Sequence, residues 1–237
     1  MQILIIWLVY MKRFFVIACL GLAIFVVPLG SNVWATHEMG RHHIKKNIIN
    51  RNKIKIIYPD NAPKIASDFG SMLSTSYGIR DQRHQGIDIK GPVGQPIVAI
   101  ANGYVLDAVT EKCWGPTVVI DHGNAYDGKK IIALYGHLGE MLVKQGSKVS
   151  RGQLIGRLGD NEKNFRCIGR VRHLHFQIGQ QYRSDPKNYW GWSYFLKDGR
   201  KSLNPHLYWA DGIGMVTCFD PNKAMPDGYI TYPVPCN

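Results

Sequence analysis

The sequence contains no C-x-x-C pair and no H-E-x-x-H. The first absence excludes a zinc site of four cysteines, which needs closely spaced pairs. The second excludes the metalloprotease helix in which two histidines at i and i+4 share one face beside a glutamate. His37, Glu38, His42 and His43 come nearest, but His42 stands five positions after His37 and off that face. Helical periodicity is scarce, and neither an internal repeat nor a low-complexity linker is present, so one catalytic-sized domain with appendages is the economical description. Acidic residues are in short supply, 17 Asp+Glu against 29 Lys+Arg, for a formal charge of +12. Such a balance suits a polyanionic neighbour: cell wall, lipopolysaccharide or anionic membrane. Apolar residues at 45% and charged ones at 19% are those of a folded globular chain, not a disordered one.

The N-terminus is set apart from the fold. Lys12 and Arg13 precede an apolar run from Phe14 to Leu29, and Val33-Trp34-Ala35 supplies residues at the positions a signal peptidase reads. Residues 1–35 are therefore expected to be a secretory signal. Ten apolar-rich residues ahead of the basic pair are in the wrong order for such a leader, which favours Met11 as the start. Residues 3–29 also have enough apolar length to span a bilayer, so an uncleaved anchor is the alternative. Otherwise membrane contact is only transient, through the leader. Losing Lys12 and Arg13 takes the formal charge to +10. Export argues against nucleic acid as the partner of that charge and points to the periplasm, the cell wall or the medium.

Export also reframes the cysteines. With Cys19 gone, Cys113, Cys167, Cys218 and Cys236 remain, an even number in an oxidising compartment. Four cysteines allow three pairings. Cys113–Cys167 and Cys218–Cys236 are expected, the second because both residues lie in one C-terminal tail.

Residues 36–57 form a basic arm without turn punctuation. From Tyr58 the texture changes to short apolar runs, such as residues 96–100, 103–106, 117–120 and 130–135, separated by Gly, Asn, Asp or Pro. Runs of that length rich in Val, Ile and Tyr are strands, and their spacing predicts a mainly β, antiparallel sheet or sandwich with few helices. Residues 58–210 are read as the domain and 211–237 as an irregular, disulfide-stapled extension. Tyr189, Trp190, Trp192 and Tyr194 form an aromatic cluster, either packed on the sheet or open to stack sugar rings.

RVRHLHFQIG, residues 170–179, is an apolar strand that carries two histidines. Alternate residues of a strand share a face, so His173, His175 and Gln177 point away from Leu174, Phe176 and Ile178. His84 and Asp88 stand four apart around Gly86, and His137 ends another strand in YGHL. Asp88 with two histidines meets the three-ligand count of a catalytic zinc site. Two further histidines remain for other work.

HQGID, YGHL and HLHF, in this order, resemble the lysostaphin-type zinc metallopeptidases, the LytM domains of family M23. The text around them, YGIR…HQGIDIKGPVGQPIVAIANGYV, VVIDHG and VKQGSKVSRGQLIGRLG, is similar to the family over residues 65–179. What the resemblance implies is a LytM-like fold and one Zn2+ on His84, Asp88 and His175. His137 and His173 are its catalytic partners, one as base or positioner and the other as donor to the oxyanion. The implied activity is hydrolysis of amide bonds in peptidoglycan cross-links or stem peptides. A different class is also represented among such domains: regulators that have lost the ligands and activate wall amidases. All five site residues are present here. Arg80 is expected either to hold a substrate carboxylate or to brace its loop, and Tyr77 to face the cleft or the core. One departure is the long run GDNEKNFRCIGRVRHLHF before the H-x-H strand, which carries Cys167.

Overall fold

Val, Ile and Tyr dominate the runs that become strands, where branched and aromatic side chains pack well on a pleated surface. The computed structural model describes residues 54–74, 78–160, 163–165, 167–182 and 202–236. The expected leader, residues 36–53 of the basic arm, Tyr77 and the aromatic cluster at 189–194 lie outside the described residues.

Among the described residues eleven strands follow in chain order: β1 (Ile65–Ser67), β2 (Ile87–Lys90), β3 (Pro96–Val98), β4 (Gly103–Glu111), β5 (Gly115–Asn124), β6 (Lys130–Gly136), β7 (Leu138–Met141), β8 (Lys148–Val149), β9 (Leu154–Leu158), β10 (His173–Gly179) and β11 (Ser202–Leu203). The larger sheet runs β1-β2-β10-β6-β5-β4-β8, with β11 pairing β10 beyond the end of β2. A smaller sheet runs β3-β9-β7. Every pairing between these strands is antiparallel. Among the described residues the one helical element is a 3-10 turn, Pro205–Leu207. The fold class expected from the sequence is what the structure shows, a mainly antiparallel β architecture.

The meander β4-β5-β6 is joined by short turns, and β10 then inserts between β6 and β2. Strand β10 is buried along its whole length. Leu174, Phe176 and Ile178 on one face enter the main core, together with Ile87, Ile89, Val118, Ile120 and Tyr135. Fully burying a side chain of that size contributes about 1.5–3 kcal/mol, so the register of β10 is fixed by its apolar face. A slip of one residue would turn that face to the other side of the sheet. His173, His175 and Gln177 are thereby held on the opposite face.

The C-terminal residues share the same core. Tyr208, Trp209, Val216, Ile230, Tyr232 and Val234 are buried in it. Trp209 bridges Ile230, and the end of the arm bridges Ile57 to Met215. Both expected disulfides are present: Cys113–Cys167, with Cα atoms 4.9 Å apart, and Cys218–Cys236, at 5.8 Å.

Candidate metal centre

The register of three adjacent strands gathers the site. His175 on β10 faces Asp88 on β2 and Gly136 on β6 in the pairing. His84 enters from the segment before β2, and Gly86 makes the approach possible. A Cβ at Gly86 would stand 2.4 Å from the Phe176 carbonyl oxygen and 3.1 Å from His175 Nε2.

His84, Asp88 and His175 are all buried, and one ligand-type atom from each lies within 4.8 Å of the others. His84 Nε2 is 3.2 Å from His175 Nδ1 and 3.1 Å from Asp88 Oδ1, and His175 Nδ1 is 2.9 Å from that same oxygen. The remaining polar atom of each residue is engaged elsewhere. His84 Nδ1–H donates to the Asp68 carbonyl at 3.1 Å, and His175 Nε2–H donates to Gln177 Oε1 at 3.0 Å. Arg80 donates to Asp88 Oδ2 at 2.9 Å and to Ser67 Oγ at 3.2 Å. These outer acceptors suit the tautomers in which the inner nitrogens, His84 Nε2 and His175 Nδ1, carry lone pairs for an ion. The three inward atoms, His84 Nε2, His175 Nδ1 and Asp88 Oδ1, converge on one point. Around an ion with bonds of about 2.0–2.1 Å, tetrahedral ligands sit about 3.3 Å apart, close to the separations found here.

Burial by itself would raise the Asp88 carboxyl. The imidazoles of His175, His84 and His173 outweigh it and hold the group well below the usual carboxylate range, so Asp88 is ionised at neutral pH. Burial pushes His175 down as well, against the pull of Asp88.

His137 stands just past β6 with φ of 68°, the only non-glycine in the left-handed region among the described residues. Such a conformation costs on the order of 1 kcal/mol and persists only where its surroundings impose it. Its Nδ1–H donates to the Trp114 carbonyl at 2.9 Å. Burial, with repulsion from His173 and His175, pushes its pKa well below that of a free histidine. The His137 ring centroid is 4.9 Å from that of His173 and 5.9 Å from that of His175. His173 Nδ1–H donates to Val171 O at 2.7 Å, and its Nε2 lies 3.6 Å from Asp88 Oδ1.

A cleft of about 400 Å³ opens on the cluster, lined by Ile79, Arg80, Arg83, His84, Trp114 and Gln177 among others. The structure thus brings together His84, Asp88, His137, His173 and His175, and it sets Arg80 in an ion pair at their edge. Tyr77 lies outside the described residues. His122 lies near the end of β5 and bonds Asn102 O and the Tyr135 hydroxyl.

Trp114 and Asp68 are not marked by any motif in the sequence. Trp114 accepts from His137 and sets its ring 4.8 Å from that of His175. Its place beside Cys113 was the available signal. Gln177 continues the polar row of β10, which the strand alternation displays. Asp68 acts through its main-chain carbonyl, and no side-chain pattern announces that.

An antiparallel β domain with a buried His-Asp-His cluster and two more histidines at a cleft has the donor set of a metallohydrolase. Residues 82–187 match the family model of Peptidase family M23, and the chain carries a domain of that family. It is 32% identical over 144 residues to Peptidoglycan DD-endopeptidase ShyA of Vibrio cholerae serotype O1, covering 60% of this chain and 31% of that protein. It is 30% identical over 116 residues to Murein hydrolase activator NlpD of Escherichia coli, covering 48% of this chain and 27% of that one. The catalytic domain of lysostaphin from Staphylococcus simulans aligns at 24% identity with a TM-score of 0.45, over 60% of this chain and 89% of that domain. The chain spans about a third of the length of the first curated relatives it matches.

Proposed function

We propose that this chain is a zinc-dependent endopeptidase that hydrolyses amide bonds in peptidoglycan cross-links or stem peptides outside the cytoplasm. The observation that carries the reading is the convergence of three buried ligand-type atoms, His84 Nε2, Asp88 Oδ1 and His175 Nδ1. With the imidazole protons on the outer nitrogens all three turn lone pairs inward, an arrangement that a bound cation stabilises. Two imidazoles and one carboxylate are a donor set that zinc favours at catalytic sites. When bound, zinc supplies a Lewis acid for the scissile carbonyl and lowers the pKa of the attacking water towards about 7.

The chain's own groups do the rest. His137 is neutral at pH 7 and, with Nδ1–H tied to Trp114, keeps its lone pair on Nε2. It takes the proton from the attacking water and returns it to the leaving amine. His173, with Nδ1–H tied to Val171, offers Nε2 as the acceptor that orients that water. Arg80 holds the outer oxygen of Asp88, so that Oδ1 alone faces the cluster.

Murein hydrolase activator NlpD among the relatives supports a second reading, a non-enzymatic activator of wall amidases. Such a role has no use for a converging donor set. The two readings separate in one digest of purified cross-linked peptidoglycan, with and without chelator, read by mass spectrometry beside His137→Ala. Endopeptidase action gives chelator-sensitive loss of cross-linked fragments that His137→Ala abolishes. No cleavage by the folded, zinc-loaded chain, together with stimulation of an added amidase, would establish the activator instead. The export of the chain and its net positive charge suit either role.

A further inference from the structure

The family match ends at residue 187, yet a polar chain runs from buried C-terminal residues, through the half-exposed Asp68 side chain, back to the cluster. Trp209 Nε1–H donates to His206 Nδ1 at 3.0 Å, which leaves the proton of His206 on Nε2. That Nε2–H donates to Asp68 Oδ1 at 2.7 Å. The carbonyl of the same Asp68 accepts from His84 Nδ1–H at 3.1 Å. His206 and Trp209 are 1% and 0% exposed.

Each link is held in place. Asn204 caps the 3-10 turn by accepting from His206 N at 3.0 Å, and Pro205 fixes the backbone before it. The 68–71 segment in turn grips His84 by its main chain: Gly70 N donates to His84 O at 2.8 Å, and His84 N donates to Ser71 O at 3.0 Å. His84 is thus seated by a loop, and that loop is tied down from the far end of the chain.

We infer that His206 is a positioning residue of the candidate metal centre, acting on His84 through Asp68. Trp209 sets the tautomer of His206, and His206 sets the place of Asp68. The Asp68 carbonyl then keeps the His84 proton on Nδ1 and its lone pair on Nε2, aimed at Asp88 and His175. Partners one step removed from a metal-binding histidine govern its orientation and basicity, and losing one commonly costs about 10–100-fold in metal affinity. This inference rests on the zinc reading of the cluster.

The test measures zinc affinity by competition with a chromophoric chelator, and the visible spectrum of the cobalt-loaded chain. Wild type is compared with His206→Leu, His206→Gln, Asp68→Ala and Thr231→Val. The last removes a buried C-terminal hydrogen bond to Ile100 that has no link to Asp68. His206→Leu is expected to weaken zinc binding about 10-fold and to shift the cobalt bands, while His206→Gln recovers part of both. Thr231→Val lowers the melting temperature and leaves both readouts as in wild type. Wild-type affinity and spectrum in His206→Leu, with only a lower melting temperature, would overturn the inference. Should His206→Leu fail to fold, Asp68→Ala, which keeps the main-chain carbonyl that His84 uses and removes the acceptor that His206 uses, carries the same comparison. A wild-type chain that binds zinc no better than Asp88→Ala would refute the zinc reading itself, a separate and recognisable failure.

Discussion

The two disulfides should differ in what they do, and the structure sets both magnitudes. Cys113 and Cys167 are 54 positions apart, and Cys218 and Cys236 are 18 apart. Loop-closure entropy then assigns the first bridge about 4 kcal/mol of stability and the second about 3. Only the first touches the chemistry. Trp114 follows Cys113 directly, accepts the His137 proton on its carbonyl and lays its ring over Gly136, 2.9 Å from where a Cβ would stand. Cys167 N also donates to Cys113 O at 2.8 Å, so the bridge and a main-chain bond together hold that turn. Cys113→Ser/Cys167→Ser should therefore lose stability and also lower kcat by about 10–100-fold, the scale on which loss of a histidine's outer partner acts. Cys218→Ser/Cys236→Ser should lose comparable stability and keep its kcat. Urea unfolding gives the first quantity, and turnover of a cross-linked muropeptide, at a temperature where all chains are folded, gives the second. Equal kcat in the two double variants would refute the argument that the first bridge acts through Trp114.

Other outcomes follow from single contacts. Gly86→Ala places a Cβ 2.4 Å from the Phe176 carbonyl oxygen; it should cost about 1–3 kcal/mol in urea unfolding and weaken zinc binding. Gln177→Leu removes the acceptor that keeps the His175 proton on Nε2; zinc affinity should fall about 10-fold by chelator competition, with Gln177→Glu closer to wild type. His122 is pushed down from 6.5 to about 4, chiefly by burial. The stability it contributes is complete above pH 6.5 and is lost as the pH falls towards 4, up to about 3 kcal/mol. Urea unfolding of the metal-free chain between pH 7 and 4.5 should accordingly show a shallower decline in His122→Gln, and equal slopes would refute that.

The gathering of the five histidine and aspartate residues was legible because strand geometry is periodic. H-x-H on an apolar strand sends both rings to one side, and Gly86 marks where β2 must approach β10 closely. The pairing of Cys218 with Cys236 was legible from their shared tail, once export was expected from the N-terminal sequence. What stayed hidden depends on the chain meeting itself across long separations. Asp68 serves through a main-chain carbonyl, which every residue has. His206 carries no motif that points to the site, and its link to Asp68 spans 138 positions. Arg80 could have held a substrate or braced a loop. Its ion pair with Asp88 is a three-dimensional fact that the YGIR motif does not contain.

The order of the strands also bears on when the site comes into being. The meander β4-β5-β6 pairs neighbours in sequence and closes short loops. Joining β10 to β2 brings together residues 87 positions apart, as His175 and Asp88 are. Closing so long a loop costs more chain entropy, and it is repaid only when the whole face of β10 is buried. A nascent chain therefore carries Asp88 through 87 further residues of synthesis before His175 can join it. The pairing of β10 with β2 and β6 and the gathering of the cluster are one event, and a chain that stops short of β10 has a partial fold and no candidate metal centre.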